Sequence, residues 1–287
     1  MPVTALIVLL LVAAVPTAAD AGSARMELTI VPGVVAEADY WPGAADMPAI
    51  LIVHGFLQTR DFPTVRRLAT ALAEEGFSVL TPSLSLGLNR RLRSLACEAV
   101  HTHAMQHDVA ELRAWTAWLA QRTGKPPVVI GHSTGGVQLA AMLEANPDLA
   151  VRHALLIGLT YFGQELGSES AEALRARARD DLARGQEHVN PYALTYCRKY
   201  VTTAANLLSY LQWDSRRLQQ TITAGTVPVT VIVGAHDESI DQAWLQALRA
   251  GGVSVRAVAG ARHFFDLAHE PDLLDAVEQV ITGADHG

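Results

Sequence analysis

A serine, an acid and a histidine lie far apart in this chain, each in a local pattern suited to acyl-transfer chemistry. Ser133 stands in Gly131-His132-Ser133-Thr134-Gly135, between the apolar run Pro127-Val128-Val129-Ile130 and a small-residue helix former, 136–143. A strand that turns so tightly into a helix pushes the serine outward on strained dihedrals, and the flanking glycines relieve the crowding. The helix start aims unpaired N–H groups at the space above the hydroxyl. A serine hydroxyl needs a base to become a nucleophile, and the base needs an acid to orient it. Asp237 supplies the acid: it follows the β-branched run 228–233 in Gly234-Ala235-His236-Asp237-Glu238. His263 supplies the base: it follows the strand-like run 253–259 in Gly260-Ala261-Arg262-His263-Phe264-Phe265. Continuous apolar runs of this kind are strands of a parallel sheet buried on both faces, and open α/β sheets place their sites just past such strand ends.

An oxyanion needs donors as well. The run 49–53 ends in His54-Gly55-Phe56-Leu57, where the glycine lets the next N–H turn toward the nucleophile. The main-chain N–H groups of Phe56 and Thr134 form the expected oxyanion hole. Glu238 and Asp241 compete for the role of acid, and Asp237 is preferred because it lies nearest the strand end. His269 competes as base but sits beside Glu270-Pro271 at a helix start. His54 and His132 read as structural residues beside the turn. His101, His103 and His107-Asp108 have spacings a metal can use. No second carboxylate–histidine group anchors them, so they read as structural or capping residues, and neither metal nor cofactor is expected.

With these four motifs in hand, His54-Gly55-Phe56, the serine pentapeptide, Gly234-Ala235-His236-Asp237 and Gly260-Ala261-Arg262-His263-Phe264, the chain resembles the serine α/β-hydrolase family over residues 48–160 and 226–283. The resemblance implies a mostly parallel central sheet with helices on both faces and a helical cap insertion. It also implies a triad in the chain order serine, acid, histidine. Serine at 133 argues against the dehalogenase and epoxide-hydrolase branches, which carry aspartate there. The activity implied is cleavage of small-molecule carboxylic esters through an acyl-enzyme on Ser133. A thioesterase, an acyltransferase or a perhydrolase would use the same residues, because pocket shape selects the acceptor. A non-catalytic binding module on the same fold is the alternative of a different class.

The 287 residues are 50% hydrophobic and 18% charged, ample for one sizeable core. A net charge of −7 and the lack of a large basic cluster exclude a nucleic-acid partner; Arg90-Arg91-Leu92-Arg93 reads as a solvated loop or helix face. Residues 5–15 are an apolar stretch too short for a membrane span, which needs ~20 residues. With Ala19-Asp20-Ala21 behind it as a small-x-small cleavage site, 1–21 reads as a signal peptide, although no Lys or Arg precedes the apolar stretch. The mature protein is then secreted or periplasmic, with no stable membrane span. In such a compartment Cys97 and Cys197 can pair.

Around the motifs, 26–39 reads as an antiparallel hairpin turning at Pro32-Gly33, and 62–75 as a helix stopped by Gly76. A strand over 77–80 precedes a long connection, 81–103. Residues 104–122 form a helix burying Val109, Leu112 and Trp115. The core is expected over 22–159 and 226–287. Residues 160–225 break the strand–helix alternation and read as the cap, helix-forming and without a strong strand. Five of the six tyrosines lie there, 161, 192, 196, 200 and 210, with Trp213, and most read as the cap's own small core.

Overall fold

Short apolar runs shielded on both sides become strands here, and the amphipathic stretches between them become the helices that cover them. The computed structural model describes residues 22–185 and 188–283, so the expected signal peptide lies outside the described residues. In chain order, β1 (Ala24–Val31), β2 (Val34–Trp41) and β3 (Ala49–Val53) lead to α1 (Pro63–Glu74) and β4 (Ser78–Ser83). A long connection carrying β5 (Val100–His101) precedes α2 (Met105–Thr123). Next come β6 (Val128–His132), α3 (Thr134–Ala145) and β7 (His153–Ile157). An excursion follows: α4 (Ser168–Ala183), β8 (Asn190–Leu194), β9 (Cys197–Thr202), α5 (Ala204–Leu211) and α6 (Ser215–Ala224). The chain then resumes its alternation with β10 (Val229–Gly234), α7 (Gln242–Ala250), β11 (Ser254–Val258) and α8 (Glu270–Thr282).

The main sheet has eight strands in the order β1-β2-β4-β3-β6-β7-β10-β11. The leading hairpin is antiparallel, and every pairing from β4 to β11 is parallel. Side chains alternate between its faces. Ile50, Ile52, Ile130 and Ile157 pack on the side of α1 and α8, whereas Leu51, Val53, Val129 and Leu156 pack on the side of α2, α3 and α6. This two-sided burial is why the strands are continuous apolar runs rather than alternating ones. Local signals fix the ends of the helices. Pro63 opens α1 behind Phe62, and Asp241 caps α7 by accepting the Trp244 N–H at 3.0 Å.

The excursion departs from expectation in one place. Helices dominate it, but β8 and β9 form an antiparallel hairpin, and β9 pairs in parallel with β5 to complete a second, three-stranded sheet. Tyr192 and Leu194 on one strand, and Cys197, Tyr200 and Thr202 on the other, are buried. The pairing partner of β9 comes from about a hundred positions earlier, so no local window exposes the sheet. Tyr192, Tyr200, Tyr210 and Trp213 are buried in the excursion's packing, while Tyr196, at the hairpin tip, is 60% exposed.

The connection between β4 and α2 is tied down rather than helical. Cys97 and Cys197 form a disulfide with Cα atoms 5.3 Å apart, joining this connection to β9. Arg91 corrects the reading of its run as solvated: it is 5% exposed and donates to four main-chain carbonyls, those of Leu57, Gln58, Leu84 and Arg93. No helix among the described residues is long and apolar enough to cross a membrane.

The disulfide closes a loop of 100 residues. In the chain-entropy description such a cross-link stabilises the folded state by up to ~4.7 kcal/mol. Thermal melts with and without reductant should therefore separate clearly, with the reduced protein melting several degrees lower. Coincident melts would show that the bond does not hold the fold.

Candidate active site

The turn between β6 and α3 is where the backbone is bent hardest. Ser133 has φ 55° and ψ −127°, a conformation that costs a non-glycine residue on the order of 1–3 kcal/mol. Its surroundings enforce it. A Cβ at Gly131 would stand 2.5 Å from the Gly136 nitrogen, and one at Gly135 2.5 Å from the His54 carbonyl oxygen, so only glycine fits on either side. Ser133 N–H donates to the Ile157 carbonyl at 2.8 Å, which pins the turn to the end of β7.

The next residue, Gly158, at φ 56°, seats the imidazole of His263: a Cβ there would lie 3.4 Å from its Cε1 and Nδ1. The elbow and the histidine therefore rest on two consecutive residues. A second link comes from His132. Its Nε2 donates to the His263 carbonyl at 3.0 Å, and the two rings lie 5.2 Å apart. Asp237, in the loop after β10, is 3% exposed, and its Oδ2 accepts from His263 Nδ1 at 2.8 Å. Nδ1 thus carries the proton, leaving the Nε2 lone pair free. Ser133 Oγ makes no hydrogen bond among the described residues.

Above the elbow runs the loop after β3. Each carbonyl from Gly55 to Gln58 has a donor. Gly55 O accepts from His54 Nδ1 at 2.8 Å, Phe56 O from the Tyr196 hydroxyl at 3.1 Å, Leu57 O from Leu95 N–H at 3.0 Å, and Gln58 O from Arg91 at 2.6 Å. With the carbonyls so held, the N–H groups of Phe56 and Thr134 donate to no group among the described residues. A Cβ at Gly55 would stand 3.3 Å from Ser133 Cβ, so this loop lies directly against the nucleophile turn. The Phe56 ring meets Phe162, Tyr196 and Tyr200 at centroid distances of 6.2, 5.7 and 5.5 Å, an aromatic wall contributed largely by the excursion.

Comparison with known proteins agrees with this architecture. The chain matches the model of the alpha/beta hydrolase family over residues 50–277. The chain belongs to the alpha/beta hydrolase family. Among solved structures it is similar to the alpha/beta hydrolase GrgF from Penicillium sp. sh18, with a TM-score of 0.68 at 13% identity over 91% of this chain and 98% of that one. It is also similar to Est1E from Butyrivibrio proteoclasticus, with a TM-score of 0.63 at 16% identity over 91% and 98%. A thioesterase domain from the curacin biosynthetic pathway superposes with a TM-score of 0.58 at 16% identity over 91% and 99%. At these identities the likeness is one of fold. No curated protein matches the sequence.

The competing residues of this alpha/beta hydrolase have other partners. Asp241 caps α7 and accepts from the Tyr161 hydroxyl at 2.9 Å, Glu238 is exposed, and His269 bonds Asp266 at 2.7 Å. His107 accepts the Ala104 N–H at 3.2 Å at the start of α2. His101 stacks on Tyr200 with centroids 4.1 Å apart. His103 lies between two tyrosines. Tyr210 donates to Asp108 at 2.6 Å, so it accepts from His103 Nδ1, and Tyr200 then donates to Nε2 at 3.2 Å. Gln138 of α3 also donates to Asp108, at 2.7 Å, and the network fastens the excursion to the nucleophile helix.

Two contributors escaped the sequence reading. Arg91 acts on carbonyls, which leave no mark in side-chain identity. Ser239 bonds both Asp237 and His263, and its signal was available, since a serine two residues after an aspartate commonly closes a turn on the carboxylate. A cleft of about 390 Å³ between α3 and α6, lined by Ala140, Leu143 and Ile222 among others, lies toward the opposite end of α3 from Ser133 and takes no part in the site.

Burial sets the charges. It pushes the Asp237 carboxyl upward, but hydrogen bonds from His263 and Ser239 more than offset this and hold it below the usual carboxylate range. Burial and the nearby Arg91 hold His54 down to about 3. Burial and the neighbouring His263 hold His132 down to about 4, and burial with His103 does the same for His101. These three imidazoles stay neutral in the fold yet take up protons below their ordinary value of about 6.5 once unfolded. The unfolded chain then binds more protons, so stability falls as pH drops from about 6.5 toward 4. Glu111, which burial raises to about 7, works in the opposite sense between that value and its ordinary range, as do Glu165 and Glu278, also raised by burial, while His153, lowered by burial, sides with the other imidazoles; the large shifts of His54, His132 and His101 set the net sign. Urea unfolding at pH 7 and pH 5 should show a lower midpoint at pH 5; equal or higher stability there would contradict neutral burial of these histidines.

Proposed function

We propose that this alpha/beta hydrolase is a serine hydrolase that cleaves carboxylic esters through an acyl-enzyme on Ser133. The observation that carries the reading is the Asp237–His263 hydrogen bond of 2.8 Å seated beside a serine held at φ 55°. Asp237 fixes the imidazole with its proton on Nδ1. His263 Nε2 takes the Ser133 proton as the oxygen attacks the acyl carbon. The N–H groups of Phe56 and Thr134 hold the oxyanion, and His263 returns the proton to the departing alcohol. Water then repeats the sequence and releases the acid. The aromatic surroundings of Phe56 support an apolar acyl group. The Cys97–Cys197 disulfide supports an oxidising compartment and, with the apolar N-terminal stretch, export after cleavage behind Ala21.

Two measurements test this reading. A fluorophosphonate should label Ser133, and Ser133→Ala should lower turnover of p-nitrophenyl esters by on the order of 10⁶-fold. Activity of Ser133→Ala within tenfold of the parent would exclude Ser133 as nucleophile. Esters and thioesters of graded chain length, assayed side by side, decide the leaving group and acyl length and should favour esters. Intact mass of the exported protein should begin at Gly22; a mass that includes residues 1–21 would contradict cleavage.

A further inference from the structure

The geometry points to Ser239 as a positioning residue for the proposed reaction, its hydroxyl bridging the acid and the base so that the imidazole is held by two acceptors rather than one. The inference rests on the reading of Asp237 and His263 as the acid–base pair and adds a member to it.

The proton positions follow from the chemistry of the partners. Asp237 Oδ1 lies 2.5 Å from Ser239 Oγ, and a carboxylate only accepts, so the hydroxyl donates to it. The Ser239 oxygen lies 2.9 Å from His263 Nδ1, whose proton is directed by Asp237 Oδ2 at 2.8 Å. The Nδ1–H is therefore shared between Asp237 Oδ2 and Ser239 Oγ, a three-centre bond that resists rotation of the ring. The serine is itself fixed. Its N–H donates to Asp237 Oδ1 at 3.0 Å, and its carbonyl accepts from the Gln164 side chain. Gln164 lies in the 3-10 turn Gln164–Leu166 at the start of the excursion, so the excursion holds the same loop that holds the imidazole.

Electrostatics adds a second effect. As His263 takes the Ser133 proton it becomes an imidazolium, and the negative end of the Ser239 hydroxyl faces it. A hydrogen bond to the charged form favours that form. The other groups facing the ring are Asp237 from the loop after β10, His132 from β6, and Glu165 from the 3-10 turn. A substitution at 239 leaves His132 and Glu165 in place; at Asp237 it removes a donor to Oδ1, the oxygen that does not face the imidazole. The side chain of Ser239 is exposed, so removing one oxygen from it leaves no cavity in the core.

The test compares Ser239→Ala, Ser239→Thr and Asp237→Asn on a p-nitrophenyl ester, with full pH profiles. Ser239→Ala should lower kcat about tenfold with KM unchanged. It should also move the acid limb of the kcat profile down by about half a pH unit, because the imidazolium loses an acceptor. Ser239→Thr, which keeps the hydroxyl, should restore both. A limb that stays in place or moves up in Ser239→Ala, or a loss that threonine does not restore, overturns the role. Asp237→Asn tests the underlying pair separately, with a loss on the order of 10⁴-fold expected from the wrong tautomer. If Asp237→Asn keeps activity within tenfold, the acid–base reading itself fails, whatever the outcome at 239.

Discussion

A serine held at φ 55° between a strand and a helix is costly, and the surrounding backbone has to be shaped to hold it there. The shaping is mutual. Gly131 and Gly135 have no room for a Cβ because the helix start and the β3 loop press directly on the turn. That pressure seats the β3 loop directly on the elbow. The Ser133–Ile157 main-chain bond fixes the elbow against β7, and Gly158 beyond it receives the imidazole. The parallel register β3–β6–β7–β10 therefore does more than build a core. It sets the ends of β6 and β10 on one edge, where Ser133 and Asp237 emerge.

Polar groups around that edge are managed by dense local bonding. Every carbonyl from Gly55 to Gln58 has a donor, and Arg91 supplies part of that from an almost fully buried position. A guanidinium suits the task because its fixed fork of donors reaches several carbonyls at once. His54, beside it, stays neutral through burial and the nearby positive charge, and it accepts the Leu84 N–H at 3.1 Å. With its carbonyls held from behind, the loop is fixed where it packs on the Ser133 turn.

The parts legible in the sequence were those with a strong local signature. Strands buried on both faces read as unbroken apolar runs, and the Gly-His-Ser-Thr-Gly turn, Asp237 and His263 each follow one. Residues whose partners are distant or main-chain atoms stayed hidden. Arg91 looked like one of three solvated arginines, because nothing in Arg90-Arg91-Leu92-Arg93 marks which side chain turns inward. The β8–β9 hairpin was missed because its strands are short and its sheet is completed by β5, far away in the chain. Ser239 carries a turn signal, an aspartate with serine two positions on, but its bond to His263 spans 24 positions and leaves no local mark.

The excursion's attachment explains why these hidden residues belong together. It is bound to the core by the disulfide at β9, by the Tyr200–His103–Tyr210–Asp108 chain with Gln138 of α3, and by Gln164 on the Ser239 carbonyl. Each anchor ends on a segment that also borders the candidate site: the β4–α2 connection behind the β3 loop, α3, and the loop after β10. An insertion that merely covered a pocket would need none of these contacts and would gain mobility without them. Here Tyr196 and Tyr200, set on the anchored hairpin, press on Phe56 itself. A shift of the excursion must therefore move Phe56, in the loop that packs on the Ser133 turn, so the aromatic wall and that turn are mechanically coupled in this molecule.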